Sequence, residues 1–140
     1  MQEKSHSEED TVQIAALLAG ETNAPALICL YGDLGAGKSA FARGFIRTLA
    51  SQDTDVPSPT FTLVQTYDTT KGTIYHYDLY RLEDAEEVYE LSWDDALADG
   101  IVLVEWPERL GSLLPPARTD VKVNITDNEI RTIEIEHRDG

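Results

Sequence analysis

The feature that most constrains the fold is an apolar run followed at once by a glycine-rich segment. Ala26–Tyr31 is unbroken in its apolar character, which is typical of a central strand buried on both faces. The next segment, Gly32–Ser39, matches G-x-x-x-x-G-K-[ST] at every fixed position. From Lys38 to about Ala50, apolar side chains recur at helical spacing. The order strand, glycine loop, helix predicts an α/β fold around a parallel sheet.

Each residue type of the glycine loop has a chemical reason to be there. Glycines let backbone N–H groups turn toward phosphate oxygens, and the helix that follows adds the positive end of its dipole. Lys38 would place a point charge on the β- and γ-phosphates of a nucleotide, and the Ser39 hydroxyl would ligate Mg²⁺. The alternative is an ordinary glycine turn, which does not account for the flanking strand and helix. The loop therefore predicts nucleotide binding.

A second apolar run ends in a carboxylate. Ile101–Val104 predicts another buried strand, and Glu105 follows it directly. A carboxylate in this position costs desolvation unless a cation meets it, and Mg²⁺ would supply that charge. We therefore expect Ser39 and Glu105 to hold a magnesium ion, directly or through water.

Asp78 ends the second strand of a predicted hairpin, Phe61–Tyr67 and Thr73–Asp78, and shares one face of that strand with His76. Two roles for Asp78 are open: it orients a water or tunes the Mg²⁺ shell, or it caps the chain as it turns. A lone histidine such as His76 is more often structural than catalytic, and both readings stay open.

Thr60 and Arg131 are candidates with open alternatives. Thr60 lies in a proline-bounded segment, where GTPase-like proteins place a threonine that senses Mg²⁺ and γ-phosphate; a plain connecting loop is the alternative. Arg131 shares a strand face with Ile133 and Ile135, so we expect it to point inward and to need an anionic or aromatic neighbour. A site role and an internal ion pair are equal alternatives for Arg131.

The remaining segments complete the predicted architecture. A helix begins after Ser7 and runs to about Ala19, where Gly20 would stop it. Further predictions are short helices within Glu83–Asp99 and a last hairpin, Val121–Ile125 and Ile130–Glu136, with Asp127-Asn128 at its turn. The chain of 140 residues suits one domain, residues 1–140, with a P-loop NTPase-like α/β fold. We expect a central, mostly parallel sheet with helices on both faces and β-hairpin additions.

Composition excludes several classes of function. Asp and Glu total 26 against 11 Lys and Arg, a formal charge of −15, which repels a nucleic acid backbone. A more basic partner would have to hold any nucleic acid; the acidic surface either helps to dock that partner or serves solubility alone.

Cys29, the only cysteine, cannot form an internal disulfide and is predicted to be a buried thiol. No run of eighteen apolar residues occurs, so we expect a cytoplasmic protein without a membrane segment.

An incomplete motif indicates which base the bound nucleotide carries. Guanine specificity would normally require an Asn/Thr-Lys-x-Asp segment, and the nearest string, Thr70–Thr73, lacks the aspartate. Adenine is therefore favoured, and ATP is the expected nucleotide.

Four segments, in this order and spacing, closely resemble the TsaE (YjeE) family: Gly32–Ser39, Ser58–Phe61, His76–Arg81 and Val104–Pro107. The resemblance spans almost the whole chain. It implies a P-loop ATPase that associates with the TsaD and TsaB proteins, whose complex attaches a threonylcarbamoyl group to the adenosine beside the anticodon of tRNA. The ATPase would support repeated cycles of that complex and would contact tRNA only indirectly. We expect hydrolysis to be weak for the protein alone and stimulated by its partners.

The resemblance also implies roles for individual residues. The implied ATP-binding positions are Leu34, Gly35, Ala36, Gly37, Lys38, Ser39, Ala40 and Arg131, and the implied Mg²⁺ ligands are Ser39 and Glu105. Positions on which activity depends fall on Lys38, Thr60, Asp78, Glu105 and Trp106, and a further contact is implied around Glu8 or Thr11. The common Lys-Thr-Thr of the family is Lys38-Ser39-Ala40 here. Ala40 lacks a hydroxyl that would contact the α-phosphate, so we expect somewhat lower nucleotide affinity, although its backbone N–H remains.

Overall fold

A computed structural model describes residues 1–33, 35–126 and 130–139 of the chain. Leu34 of the glycine loop and the Asp127-Asn128 turn of the last predicted hairpin lie outside the described residues. The elements, in chain order, are β1 (Gln2–Ser5), α1 (Glu8–Glu21), β2 (Ala26–Tyr31), α2 (Lys38–Leu49), β3 (Val64–Thr69), β4 (Gly72–Asp78), a first 3₁₀ helix (Ala85–Leu91), α3 (Trp93–Asp99), β5 (Ile101–Glu105), a second 3₁₀ helix (Pro107–Leu113), β6 (Ala117–Ile125) and β7 (Arg131–Asp139).

One sheet contains these strands in the order β1-β7-β6-β2-β5-β4-β3. The central strand β2 is parallel to β5 on one side and to β6 on the other, and β4 is parallel to β5. The outer pairs β3/β4, β6/β7 and β1/β7 are antiparallel. The predicted α/β class, with a parallel centre and added antiparallel pairs, is therefore confirmed. The carboxyl ends of β2, β4 and β5 meet at one edge of the sheet, and this brings Tyr31, Asp78 and Glu105 to that edge.

Helices cover both faces of the sheet. On one face, α1 and α2 enclose a core that includes Phe41 and Phe45 of α2. On the other face, α3 and the two 3₁₀ helices enclose a second core around Trp93. Strand β5 supplies Leu103 to the first core and Val104 to the second, so it is buried on both faces, as its apolar run predicts.

Helix α1 begins as predicted and ends later than predicted. The Ser7 hydroxyl caps it by accepting a 3.1 Å hydrogen bond from the backbone N–H of Asp10. Gly20 does not stop the helix, which continues to Glu21 and ends at Thr22. The Thr22 hydroxyl donates a 2.7 Å hydrogen bond to the Leu18 carbonyl, which satisfies one of the last carbonyl groups of the helix.

Strand β3 begins at Val64, three residues later than predicted, because the chain first makes a tight turn. The Leu63 N–H donates a 2.6 Å hydrogen bond to the Pro59 carbonyl, and Leu63 has a positive φ of 69°. Phe61, which we had placed in the strand, is 84% exposed. This turn matters for the site because it holds Thr60 close to the end of β4.

Candidate active site

The glycine loop connects the carboxyl end of β2 to Lys38, the first residue of α2. Gly37 has a φ of 114°, in the left-handed region, and a Cβ on it would lie 3.1 Å from Nε of Arg131. Gly32 has a φ of 154°, and a Cβ there would lie 2.6 Å from the Val123 carbonyl oxygen. Both positions of the motif therefore require glycine for conformation, and Gly32 also requires it for space, because a Cβ there would meet a backbone oxygen.

Arg131, at the start of β7, supports the loop from outside. Its Nε donates a 2.6 Å hydrogen bond to the carbonyl of Ala36, and its Nη2 donates one of 3.4 Å to the carbonyl of Gly35. The prediction that Arg131 needs an anionic or aromatic neighbour is wrong, because its hydrogen bonds go to backbone carbonyl oxygens. Arg131 thus contacts the loop that the resemblance assigns to nucleotide binding, and among the described residues it makes no ion pair.

A cavity of about 190 Å³ lies beside Arg131 and adjoins the loop at Gly37. Its lining residues are Glu8, Thr11, Gly37, Ala40, Arg43 and Arg131. Glu8 forms an ion pair with Arg43, and the Thr11 hydroxyl lies 2.6 Å from that of Ser5. The N-terminal residues implied by the resemblance are therefore close to the start of α2.

A pocket of about 240 Å³ lies on the other side of the loop, at the carboxyl edge of the sheet. It is lined by Gly35, Gly37, Lys38, Ser39, Ser58, Thr60, Asp78, Glu105 and Trp106. These include every residue that the sequence nominated for catalysis or for metal binding. Ser58 was not nominated; its hydroxyl lies 2.7 Å from that of Thr60, and its place in the same proline-bounded segment is the signal that could have found it.

Lys38 brings a buried positive charge to this pocket. Its side chain is 5% exposed, and among the described residues Nζ has no hydrogen-bond partner. Burial lowers the pKa of this ammonium, and nearby carboxylates, Glu105 first, oppose that shift. An ammonium held without an anionic partner is suited to receive a phosphate.

Glu105 lies at the end of β5 opposite Asp78 of β4, to which it is paired in register. Its Oε1 accepts a 3.5 Å hydrogen bond from the Ser39 hydroxyl. Its Oε2 lies 2.7 Å from Nε2 of His76, and both side chains are buried. A hydroxyl and a carboxylate are the oxygen ligands that Mg²⁺ prefers, so Ser39 and Glu105 fit this ion. No cluster of three His, Cys, Asp or Glu ligands occurs within the described residues.

Asp78 caps the chain, which is one of the two roles that the sequence left open, and it also lines the pocket. Its Oδ1 accepts a 3.0 Å hydrogen bond from the backbone N–H of Tyr80, which caps the chain where it leaves β4. Its Oδ2 accepts a 3.0 Å hydrogen bond from the Thr60 hydroxyl, and both residues line the pocket. Hydrogen bonds to both of its oxygens therefore fix this carboxylate beside the pocket.

Trp106 follows Glu105 in a left-handed conformation, with a φ of 61° and a ψ of 48°. The centroid of its indole ring lies 3.4 Å from Nζ of Lys38 and 4.9 Å from the ring centroid of Tyr80. The side chain is half-buried and packs against the second core. A residue with φ above zero next to a pocket marks a strained backbone position of the kind found at functional sites.

Two other features are remote from this chemistry. A larger cavity, of about 740 Å³, lies between the second half of α1 and strands β1 and β7, and none of the nominated site residues lines it. Cys29 is fully buried, which confirms the predicted buried thiol, and burial raises the pKa of that thiol to about 12. We therefore take the 240 Å³ pocket beside the glycine loop as the candidate active site.

Within the described ranges, no helix has the length and apolar character needed to cross a membrane.

The fold and the site define an α/β protein of the P-loop class. The defining features are the parallel centre of the sheet, the glycine loop between β2 and α2, and the side chains of Lys38, Ser39 and Glu105 beside that loop. The model of one family, described as threonylcarbamoyl adenosine biosynthesis protein TsaE, matches residues 5–135. The chain belongs to the TsaE family.

Curated relatives and a solved structure agree with this assignment. The chain is 43% identical over 130 residues to the tRNA threonylcarbamoyladenosine biosynthesis protein TsaE of Rickettsia felis, which covers 93% of this chain and 76% of that protein. It is 36% identical over 126 residues to the TsaE protein of Bacillus subtilis, covering 89% and 78% respectively. The crystal structure of Bacillus subtilis YdiB superposes with a TM-score of 0.78 at 28% identity, covering 99% of this chain and 85% of that one.

Proposed function

We propose that this protein is a Mg²⁺-dependent ATPase that acts with TsaD and TsaB in the synthesis of threonylcarbamoyladenosine on tRNA. The observation that carries the proposal is the convergence of Lys38, Ser39, Thr60, Asp78 and Glu105 on one pocket beside the glycine loop. These residues come from four separate segments of the chain. Their meeting supports a single catalytic site, since each supplies a group that phosphoryl transfer needs.

Binding of the triphosphate is assigned to the loop and to Lys38. Backbone N–H groups of the loop would face the phosphates, and the Lys38 ammonium would exchange its contact with Trp106 for the β- and γ-phosphates. Ser39 and Glu105 would hold Mg²⁺, directly or through water. A magnesium ion bound there would neutralise part of the charge on the phosphates.

The Thr60 and Asp78 pair is proposed to orient the attacking water. Oδ2 of Asp78 already accepts a hydrogen bond from the Thr60 hydroxyl, so the pair offers acceptor oxygens in fixed positions for the hydrogens of a water. Positioning by hydrogen bonds of this kind is how P-loop proteins prepare the nucleophile.

Adenine as the base is supported by the position of Lys71. A guanine-binding lysine would have to face the nucleotide, but Nζ of Lys71 donates hydrogen bonds to the carbonyls of Gly20 and Thr22, at 2.9 and 2.8 Å. Lys71 therefore binds the end of α1. This arrangement fits the missing aspartate in the Thr70–Thr73 string.

Slow turnover by the protein alone is expected because no arginine lines the pocket among the described residues. Arg43 forms an ion pair with Glu8, and the guanidinium of Arg81 lies over the ring of Phe61, with 5.2 Å between guanidinium carbon and ring centroid. An arginine from a partner would supply the missing charge and accelerate hydrolysis. The formal charge of −15 fits a subunit that leaves tRNA to its partners.

The test is steady-state ATP hydrolysis with Mg²⁺, measured for the protein alone and with purified TsaB, TsaD and tRNA. Wild type is compared with Lys38→Ala and with Lys122→Ala, a matched control because Lys122 is exposed and does not line the pocket. We expect partners to stimulate wild type and Lys122→Ala but not Lys38→Ala. Equal rates with and without partners would contradict the proposed stimulation, and unchanged hydrolysis by Lys38→Ala would contradict the site.

A second function is favoured by the same lack of an arginine in the pocket: a binding module in which ATP occupancy alone switches association with partners. Glu105→Ala separates the two functions. If this variant hydrolyses nothing and still supports repeated rounds of tRNA modification, the binding module is correct; if modification stops after one round, the ATPase is correct.

A further inference from the structure

His76 is a buried histidine that the proposed reaction does not use. It lies in β4, is 2% exposed, and does not line the pocket. Its Nε2 is 2.7 Å from Oε2 of Glu105. A side chain that does not line the pocket is not placed to touch a substrate there, so a role of His76 in the reaction would act through Glu105.

The sheet explains how the two side chains meet. Strands β4 and β5 are parallel neighbours in which His76 pairs with Leu103 and Asp78 pairs with Glu105. Side chains two residues apart on a strand share a face, so His76 and Glu105 lie on the same face, two register positions apart along the strands. The imidazole therefore supports the carboxylate from the interior side.

Nε2 of His76 is the donor of the hydrogen bond between them whenever Glu105 is ionised, because an ionised carboxylate only accepts. The other ring nitrogen, Nδ1, is buried and has no hydrogen-bond partner among the described residues. Leaving a buried polar atom unpaired costs about 1–3 kcal/mol. A leucine would avoid this cost, since the neighbouring Ile74 and Leu103 are fully buried apolar residues.

The hydrogen bond between His76 and Glu105 also affects Lys38. Glu105 is the carboxylate that most raises the pKa of Lys38, yet the two side chains form no ion pair in the structure. With Oε2 held by His76, Oε1 is directed to the Ser39 hydroxyl at 3.5 Å and the ammonium stays free. Without that hold, the carboxylate would be free to turn toward Lys38 and neutralise it. One hydrogen bond thus keeps a metal ligand and a phosphate-binding ammonium apart.

We propose that His76 is a positioning residue that orients Glu105 toward the Mg²⁺ site and away from Lys38. The proposal rests on the proposed function of the pocket. Partners that hydrogen-bond a metal-binding carboxylate typically affect metal affinity by about 10- to 100-fold, and we expect an effect in this range.

The test uses Mn²⁺ in place of Mg²⁺ and follows its binding to the ADP-saturated protein by electron paramagnetic resonance. Three variants are compared with wild type: His76→Gln, whose amide reaches the position of Nε2; His76→Asn, whose shorter amide does not; and His76→Leu. ADP affinity without divalent metal and the thermal unfolding midpoint are measured for each. Glu105→Gln serves as the reference for loss of the ligand itself.

We expect His76→Leu and His76→Asn to weaken Mn²⁺ binding about 10-fold or more, while metal-free ADP affinity stays within about twofold and His76→Gln recovers most of the loss. The comparison of His76→Gln with His76→Asn decides the matter even if His76→Leu does not fold. Wild-type Mn²⁺ affinity in His76→Asn, or an equal loss in His76→Asn and His76→Gln, would overturn the positioning role. If wild type and Glu105→Gln bind Mn²⁺ equally, the proposed metal site fails, which is a different result.

Discussion

Nζ of Lys38 lies 3.4 Å from the centroid of the Trp106 indole ring and has no hydrogen-bond partner among the described residues. A cation over an indole face gains about 0.5–2 kcal/mol, which is much weaker than a contact with phosphate oxygens. The lysine is therefore held in place by an interaction that a nucleotide can readily replace.

Removing the Lys38 charge should stabilise the nucleotide-free protein. Burial lowers the pKa of Lys38, so its charged form is disfavoured in the folded state. We expect Lys38→Met to raise the free energy of unfolding by about 1–3 kcal/mol, the usual cost of an unsatisfied buried polar group, and to abolish ATP binding. Chemical denaturation without nucleotide measures the first effect.

Lys71→Met is the matched control for this prediction, because it is the same substitution at a lysine with full partners. Lys71 donates hydrogen bonds to the carbonyls of Gly20 and Thr22 at the end of α1. We expect Lys71→Met to destabilise the protein and to leave nucleotide binding intact. Destabilisation by both substitutions would show that the buried, unpaired ammonium of Lys38 does not destabilise the folded protein.

Trp106 should report nucleotide binding by fluorescence. The chain has two tryptophans, and Trp93 is buried in the second core, so Trp93→Phe leaves the signal to Trp106. As Lys38 leaves the indole ring for a phosphate, the local charge changes, and we expect a saturable change in emission on titration with ADP. The change should be absent in a Trp93→Phe variant that also carries Lys38→Met. A full signal in Trp106→Phe would mean that Trp106 does not sense the site.

The contact between α1 and α2 should be sensitive to a single methyl group. A Cβ on Gly44 of α2 would lie 2.9 Å from Cα of Val12 in α1, closer than packed atoms allow. We expect Gly44→Ala to destabilise the protein by about 1–3 kcal/mol through overpacking. Gly20→Ala is the control, because no atom lies within 4 Å of its Cβ position in α1; it should stabilise by about 0.4–1 kcal/mol. Urea denaturation of both variants checks the two signs, and equal effects would refute the packing argument.

Asp120 should make stability depend on acid pH. Burial alone would raise the pKa of this carboxyl, but hydrogen bonds from Arg118 and Arg138, at 2.8 and 2.6 Å, hold it below its ordinary value of 3.8. A carboxyl with a lower pKa in the folded state contributes stability that is fully present above the unfolded value and is lost as pH falls through the folded one. The window therefore lies below about pH 3.8.

Asp120→Asn should lower the free energy of unfolding by about 1–3 kcal/mol at pH 7. Below about pH 4, the free energy of unfolding of this variant should decrease less steeply with falling pH than that of wild type. Asp53→Asn is the charge-matched control, since the Asp53 side chain is exposed. Urea denaturation as a function of pH measures both variants. The same acid slope in wild type and Asp120→Asn would exclude Asp120 as its source.

The parts of the fold that local pattern determines were predictable. The apolar runs of β2 and β5, the glycine loop and the amphipathic α2 all depend on residues close in sequence, and their structures match the predictions. Strand β1 was not predicted, because Gln2–Ser5 has no strand pattern and is ordered by pairing with β7. Phe61 was misplaced because an apolar residue in a β-rich segment normally indicates burial, whereas the turn at Leu63 directs it outward.

The residues that line the site were predictable from the sequence, whereas their hydrogen bonds and ring contacts were less so. Lys38, Asp78 and Glu105 were nominated from motif and strand ends, and the parallel sheet brings those ends together. The acceptors of Arg131 are backbone carbonyls about a hundred residues away, which side-chain patterns do not encode. The contact of Lys38 with Trp106 also requires the folded sheet.

The central claim, that the pocket beside the glycine loop is the ATP site, is tested most directly by calorimetric titration of a non-hydrolysable ATP analogue with Mg²⁺. We predict one site per chain in wild type, no detectable binding by Lys38→Met, and binding by Ser39→Ala that no longer depends on Mg²⁺. Binding of the analogue by Lys38→Met with wild-type affinity would contradict the claim.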